Sequence, residues 1–220
     1  MQQIIILGAT GGCVDILDTI IDVNASLGEA KFRCLGFLDD NESLWGKKVL
    51  GVEVLGPFSS VHEYSNCYFV TGIGSAKNYW ARQKIIQSLS IPEDRFATII
   101  HPSASISSTA SLGWGTVIHQ HVTITTNVNI GNQILVLPNT TISHDTTVAD
   151  FSIINAGVHL SGTVNIGRCC YLGANSSVKE HISVGNRSLL GMGSVVLQDV
   201  DEGMVVAGNP ATILRKVESE

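Results

Sequence analysis

From His101 to Val196 the chain reads in sixes without a slip of phase, and all sixteen sixth positions are Ile, Leu or Val. The fourth positions are nearly always small or β-branched, among them Ala104, Ala110, Thr116, Val122, Ser152, Val164, Cys170, Ser176 and Ser194. First positions are often Gly or another turn former. A strict period of this kind means one short unit stacked many times, each burying its apolar side chains against its neighbours.

If each hexad is a short strand plus a corner, three hexads close a triangular coil of eighteen residues, and coils stack at about 4.8 Å. Sixteen hexads make a little over five coils. Sixth and fourth positions then fill the prism, while second, third and fifth positions face solvent or another subunit. The repeat resembles that of the left-handed parallel β-helix. Its handedness, opposite to the usual parallel crossover, follows from that resemblance, because a period carries no hand.

The first hundred residues follow another rule. Gln3–Leu7 is a short apolar run, GATGG follows at Gly8–Gly12, and Val14, Ile16, Leu17, Ile20, Ile21 and Val23 then recur at helical spacing. Further strands are expected at Phe32–Leu38, around Val52–Leu55 and at Tyr68–Thr71, with a brief helix near Val61–Tyr64 and a longer one from about Lys77 to Leu89. Alternation of strands and helices predicts a small Rossmann-like α/β domain over residues 1–98, followed by the β-helix and its cap over 99–220.

Sheets of this type bind ligands at the carboxyl ends of their strands, where a glycine turn lets an anion approach backbone N–H groups. Gly8, Gly11 and Gly12, the pair Asp39-Asp40, and Gly72 and Gly74 all fall at such ends. GATGGC does not match G-x-G-x-x-G, so turns that serve only helix packing stay open beside ligand binding. The two carboxylates suit hydroxyls or a base edge.

A net charge of −6 without a Lys/Arg run gives no footprint for a nucleic-acid backbone. No apolar run approaches the roughly 20 residues of a membrane span, and Met1 leads directly into a strand, so a cytoplasmic protein is expected. The five cysteines fit no disulfide or CxxC framework and are expected as reduced packing residues, Cys170 pointing inward and Cys169 outward.

Hexad phase places His144 and Asp145 adjacent on one corner, with Gly162 eighteen residues on. His181 falls near that corner one coil further, His119 and His121 belong to a different corner, and His159 points outward. Only His144 has a neighbouring carboxylate and a bare glycine stacked above it. A carboxylate on one ring nitrogen fixes the tautomer and raises the basicity of the other, as a general base requires. A zinc site would need three converging histidines, and phase supplies no third partner for His119 and His121, so no metal is expected. Ser143 has no geometry for a Ser-His-Asp triad.

The ordered set Gly8–Gly11, Asp39-Asp40, Gly72–Gly74, Ile142–Asp145 (ISHD), Leu160–Gly162 (LSG), Leu172–Asn175 (LGAN) and Gly208–Ala211 (GNPA) resembles the hexapeptide-repeat sugar acyltransferases with a Rossmann-like first domain. Among these it is most similar to bacillosamine-pathway UDP-4-amino-sugar N-acetyltransferases, with sialic acid O-acetyltransferases nearby. The resemblance implies a homotrimer in which acetyl-CoA lies between neighbouring β-helices and contacts Gly162, Ala174 and Met192. It implies a nucleotide sugar held by Thr10, Gly11, Gly12, Asp39, Asp40 and Gly74, with His144 as base and Asp145 as its acidic partner. The chain departs from the family where Gly12, Ile153 and Leu137 stand in place of two histidines and an asparagine. The tail is expected to cap the prism, with a short helix from Ile213 to Val217 and Arg215 or Lys216 near phosphates.

The expected activity is direct transfer of an acetyl group to the 4-amino group of a nucleotide-linked 4-amino-4,6-dideoxy sugar. Sugar O-acetylation of the sialic acid type, a non-catalytic nucleotide-sugar-binding β-helix and a metal-dependent lyase stand as alternatives.

Overall fold

The computed structural model describes residues 1–217. Strands β1 (Gln2–Leu7), β2 (Phe32–Leu38), β3 (Lys48–Val49), β4 (Val52–Gly56) and β5 (Tyr68–Thr71) form a sheet in the order β3-β4-β2-β1-β5. All pairs are parallel except β3 with β4. Ile4–Leu7 are fully buried, as a central strand covered on both faces must be. Helix α1 (Gly12–Leu27) buries Ile16, Leu17, Ile20 and Val23 and ends where Gly28 turns left-handed at φ 67°.

The second helix is shorter than its pattern suggests. A 3-10 turn at Tyr79–Ala81 leads into α2 (Arg82–Ser88). Asn78 Oδ1 accepts from both the backbone N–H and the hydroxyl of Ser75, and this local bonding holds the preceding residues out of the helix. Phe58–Tyr64 is likewise 3-10.

In the repeat, the fifth and sixth positions of every hexad form a two-residue strand, from Ser105–Ile106 to Val195–Val196. Each pairs in parallel with the strand eighteen residues away, as Ile142 does with Leu160. Three flat sheets of a β-helix result, and the sixth-position aliphatics from Ile118 to Val196 form one continuous core. Three buried fourth-position hydroxyls are satisfied inside it, Thr140, Thr146 and Ser152 donating to the carbonyls of Asn155, Ser161 and Gly167, whereas those of Ser176 and Ser194 have no partner among the described residues.

The corners carry a rule that hydropathy does not show. From Gly115 to Gly193 the third residue of every hexad is left-handed, with φ between 52° and 69°, including Asp145, Phe151, Thr163 and Cys169. A side chain there costs about 1 kcal/mol, offset by bonds between coils such as Thr163 N–H to His144 C=O at 2.8 Å.

One face of the prism is not free. Fifth-position residues Val117, Leu135 and Ile153 are buried in a shared core with Ile4, Ile6 and Ile16, while Tyr171 and Leu189 pack at its edge. This column therefore faces the chain's own first domain, not solvent or another subunit. Cys169, expected outward, is buried for the same reason, its thiol 3.5 Å from Gln83 Oε1 on α2. His119 is buried with Nδ1 3.0 Å from Thr19 Oγ1, and His101 Nε2 lies 3.0 Å from Asp22 Oδ2, both partners being on α1. The tail is a hairpin instead of the expected helix: Met204–Gly208 extends the largest sheet, and Ala211–Lys216 returns antiparallel beyond a turn at Pro210. It covers an otherwise open edge.

Candidate active site

His144 and Asp145 form a corner between the strands Thr141–Ile142 and Thr147–Val148. His144 Nδ1 lies 2.9 Å from Asp145 Oδ2, with side chains 60% and 51% exposed. The left-handed backbone of Asp145 (φ 57°) turns its carboxylate back toward the preceding imidazole. Asn127 Nδ2, one coil below, donates to Asp145 Oδ1 at 3.1 Å. The hydrogen bond from His144, then that from Asn127, holds the Asp145 carboxyl below the usual carboxylate range. The carboxylate therefore stays ionised and fixes the tautomer that leaves Nε2 unprotonated.

Gly162 stacks on this ring. A Cβ there would lie 2.5 Å from both Cε1 and Nε2 of His144, so only glycine admits the imidazole in this position. The Gly162 N–H has no acceptor among the described residues. A ring nitrogen able to take a proton thus sits beside an unpaired donor, as proton abstraction with stabilisation of a developing oxyanion requires.

The glycine turns of the first domain form a crevice of about 370 Å³ whose lining includes Thr10, Gly11, Gly12, Asp39, Phe58 and Gly74, together with Ser75 and Asn78. The N–H groups of Gly11, Gly12 and Gly74 have no acceptor among the described residues, while the Thr10 backbone hydrogen-bonds the Cys13 sulfur. Gly11 and Gly12 stand at the N-terminus of a sixteen-residue helix, where the helix dipole favours negative charge. Asp39 accepts from Ala9 N–H and Asn41 N–H at 2.9 Å each and keeps lone pairs for a ligand. Asp40 stands apart from the lining, its Oδ1 accepting from Phe58 N–H at 2.8 Å. It orders the segment that carries Phe58.

Ala174 and Met192 stack on a second corner, between the strands Tyr171–Leu172 and Ser177–Val178 and one coil above. Between that corner and His144 runs the face carrying Thr141, His159 and Ser177. Within one protomer the crevice domain sits on a different face, the one bearing Val117, Leu135 and Ile153, so the prism separates the crevice from His144. Ile153 is buried there beneath Gly74. Leu137, partly buried, packs at the edge of the same core.

Burial raises the pKa of all five thiols, that of Cys13 to about 11 and those of Cys34 and Cys170 to about 12, so none is an activated thiolate. Among the described residues no three His, Cys, Asp or Glu side chains converge as metal ligands, and no helix is long and apolar enough to cross a membrane.

Two family profiles match in tandem, the PglD N-terminal domain over residues 3–89 and the GMPPB C-terminal domain over residues 96–206. Among solved structures, the acetyltransferase domain of PglB from Neisseria gonorrhoeae with acetyl coenzyme A is similar at a TM-score of 0.82 and 26% identity, over 97% of this chain and 99% of that one. PerB from Caulobacter crescentus, solved with CoA and GDP-perosamine, superposes at a TM-score of 0.82 and 23% identity, over 98% of each chain. WeeI from Acinetobacter baumannii does so at 0.73 and 22%, over 97% and 100%. No curated protein sequence matches the chain significantly.

Proposed function

We propose that the chain, a member of the hexapeptide-repeat sugar N-acetyltransferases of the bacillosamine and perosamine type, acetylates the 4-amino group of a nucleotide-linked 4-amino-4,6-dideoxy sugar, UDP being the expected carrier. The observation that carries this is the pairing of His144 with Asp145 over Gly162, on a chain whose other domain presents backbone donors without protein acceptors, suited to a diphosphate.

Acetyl-CoA lies along the face between the Gly162 and Ala174–Met192 corners. His144 Nε2 takes a proton from the sugar amine as its nitrogen attacks the thioester carbonyl, and Gly162 N–H stabilises the oxyanion. Collapse expels the CoA sulfur, which recovers the proton from His144, leaving an amide and free thiol. No acyl-enzyme is needed. Because the prism separates crevice and base within one protomer, the working unit is a homotrimer in which one subunit's crevice delivers the sugar to a neighbour's His144. Its place is the cytoplasm.

Thiol release from acetyl-CoA tests this against UDP-, GDP- and dTDP-linked 4-amino-4,6-dideoxy sugars, free amino sugars and hydroxyl sugars. Activity confined to a hydroxyl sugar, or none on any acceptor, refutes it.

A further inference from the structure

Arg82, the first residue of α2, is fully buried. Its Nη1 donates to the Ile73 carbonyl, and its Nη2 to the carbonyls of Gln133 at 2.9 Å and Thr71 at 3.5 Å, while Nε has no partner. Among the described residues no carboxylate lies within ion-pair distance of it. Burial lowers its pKa to about 10, so it remains a cation at neutral pH. A guanidinium withdrawn from water without an anion is costly, and its placement is specific. Thr71 and Ile73 belong to the strand end and turn that wall the crevice, and Gln133 belongs to a coil of the β-helix. A Cβ on Gly74 would lie 3.8 Å from Arg82 Cδ, so the turn rests directly on this side chain.

The crevice itself is lined by no Lys or Arg, and its one formally charged lining group, Asp39, is negative. Backbone N–H groups alone would have to hold a dianionic ligand beside a carboxylate. We propose that Arg82 is the buried counter-charge of the crevice, a positioning residue that holds the Gly72–Gly74 turn against the β-helix and balances a nucleoside diphosphate from behind that turn without touching it. This rests on the crevice being the nucleotide-sugar site.

The test compares Arg82→Met, which keeps volume and removes charge, with wild type by calorimetry. The probes are UDP, GDP and dTDP, their uncharged nucleosides, and acetyl-CoA as a polyanion bound elsewhere. For the nucleotide that wild type prefers, the diphosphate is expected to weaken by about tenfold or more, and the nucleoside and acetyl-CoA by less than about twofold, as loss of a long-range charge term requires. Arg82→Lys should keep most of the diphosphate preference. If Met at this site prevents folding, Arg82→Gln, which retains a donor for the carbonyls, decides by the same comparison. Unchanged diphosphate affinity, or parallel loss of diphosphate, nucleoside and acetyl-CoA, overturns the proposal. Wild type that binds none of the three diphosphates refutes the crevice assignment itself, and this proposal with it.

Discussion

Gly162→Ala separates the geometry of the base from the stability of the fold. A methyl at this position would stand 2.5 Å from Cε1 and Nε2 and 3.1 Å from Nδ1 of His144. Carbon and nitrogen rest at about 3.5 Å or more, so the ring must retreat by roughly 1 Å. Its side chain is 60% exposed and can swing into solvent, breaking the 2.9 Å bond to Asp145. Gly162 is not among the residues of positive φ, so alanine adds no backbone strain. The fold should therefore tolerate the change, with a melting temperature within a few degrees of wild type. A base displaced by that distance costs on the order of 10²-fold in rate. Steady-state thiol release should show kcat lowered by about that factor, alongside an unchanged unfolding transition. Undiminished kcat with saturating substrates would refute the placement of the base, and a large fall in melting temperature would refute the tolerance.

His144→Ala should lower kcat by about 10²–10⁴-fold while acetyl-CoA affinity, read by calorimetry, stays within a few fold. Asn127→Ala frees one oxygen of Asp145 and should reduce kcat by roughly tenfold or less, about one charge-assisted hydrogen bond, with partial recovery in Asn127→Gln. Co-assembly of inactive His144→Ala chains with inactive Gly74→Ala chains should restore activity if neighbours share a site; Gly74 at φ 131° cannot accept a side chain without distorting the crevice. Mixed assemblies as inactive as their parents would sink the shared site. His119 is buried neutral, its pKa lowered to about 4 chiefly by desolvation. Its contribution to stability is complete above the unfolded value near 6.5 and is lost as pH falls toward 4, at up to about 1.4 kcal/mol per pH unit. Denaturant melts of His119→Asn, which can keep a bond to Thr19, should show a shallower acid slope than wild type.

The eighteen-residue period alone placed Gly162 over His144 and Asp145 on the same corner, because stacking in a β-helix is simple addition. The same addition run downward leads to Asn127, whose bond to Asp145 the period makes legible as well. Other features were not legible in the hexads. Cys169 and Ile153 occupy positions that point outward by phase, yet both are buried, because phase says which way a side chain leaves the prism and nothing about what stands outside it. The tail's alternation in Ala211–Lys216 was too short to tell a strand from a helix without the open sheet edge it pairs with. Asp39 and Asp40 are neighbours in sequence but diverge in role, since each is claimed by different backbone donors.

The sequence by itself determined the repeat, the β-helical core, the α/β domain before it and the corner that bears the His144–Asp145 pair, all consequences of local period and side-chain size. Only the tertiary structure decided which face of the prism the first domain covers. That docking buries His119 and Arg82, leaves the His144 corner free, and puts the crevice on a different side of the prism from that corner. These outcomes depend on the fit of two surfaces distant in the chain, and neither surface's own periodicity encodes where the other will rest.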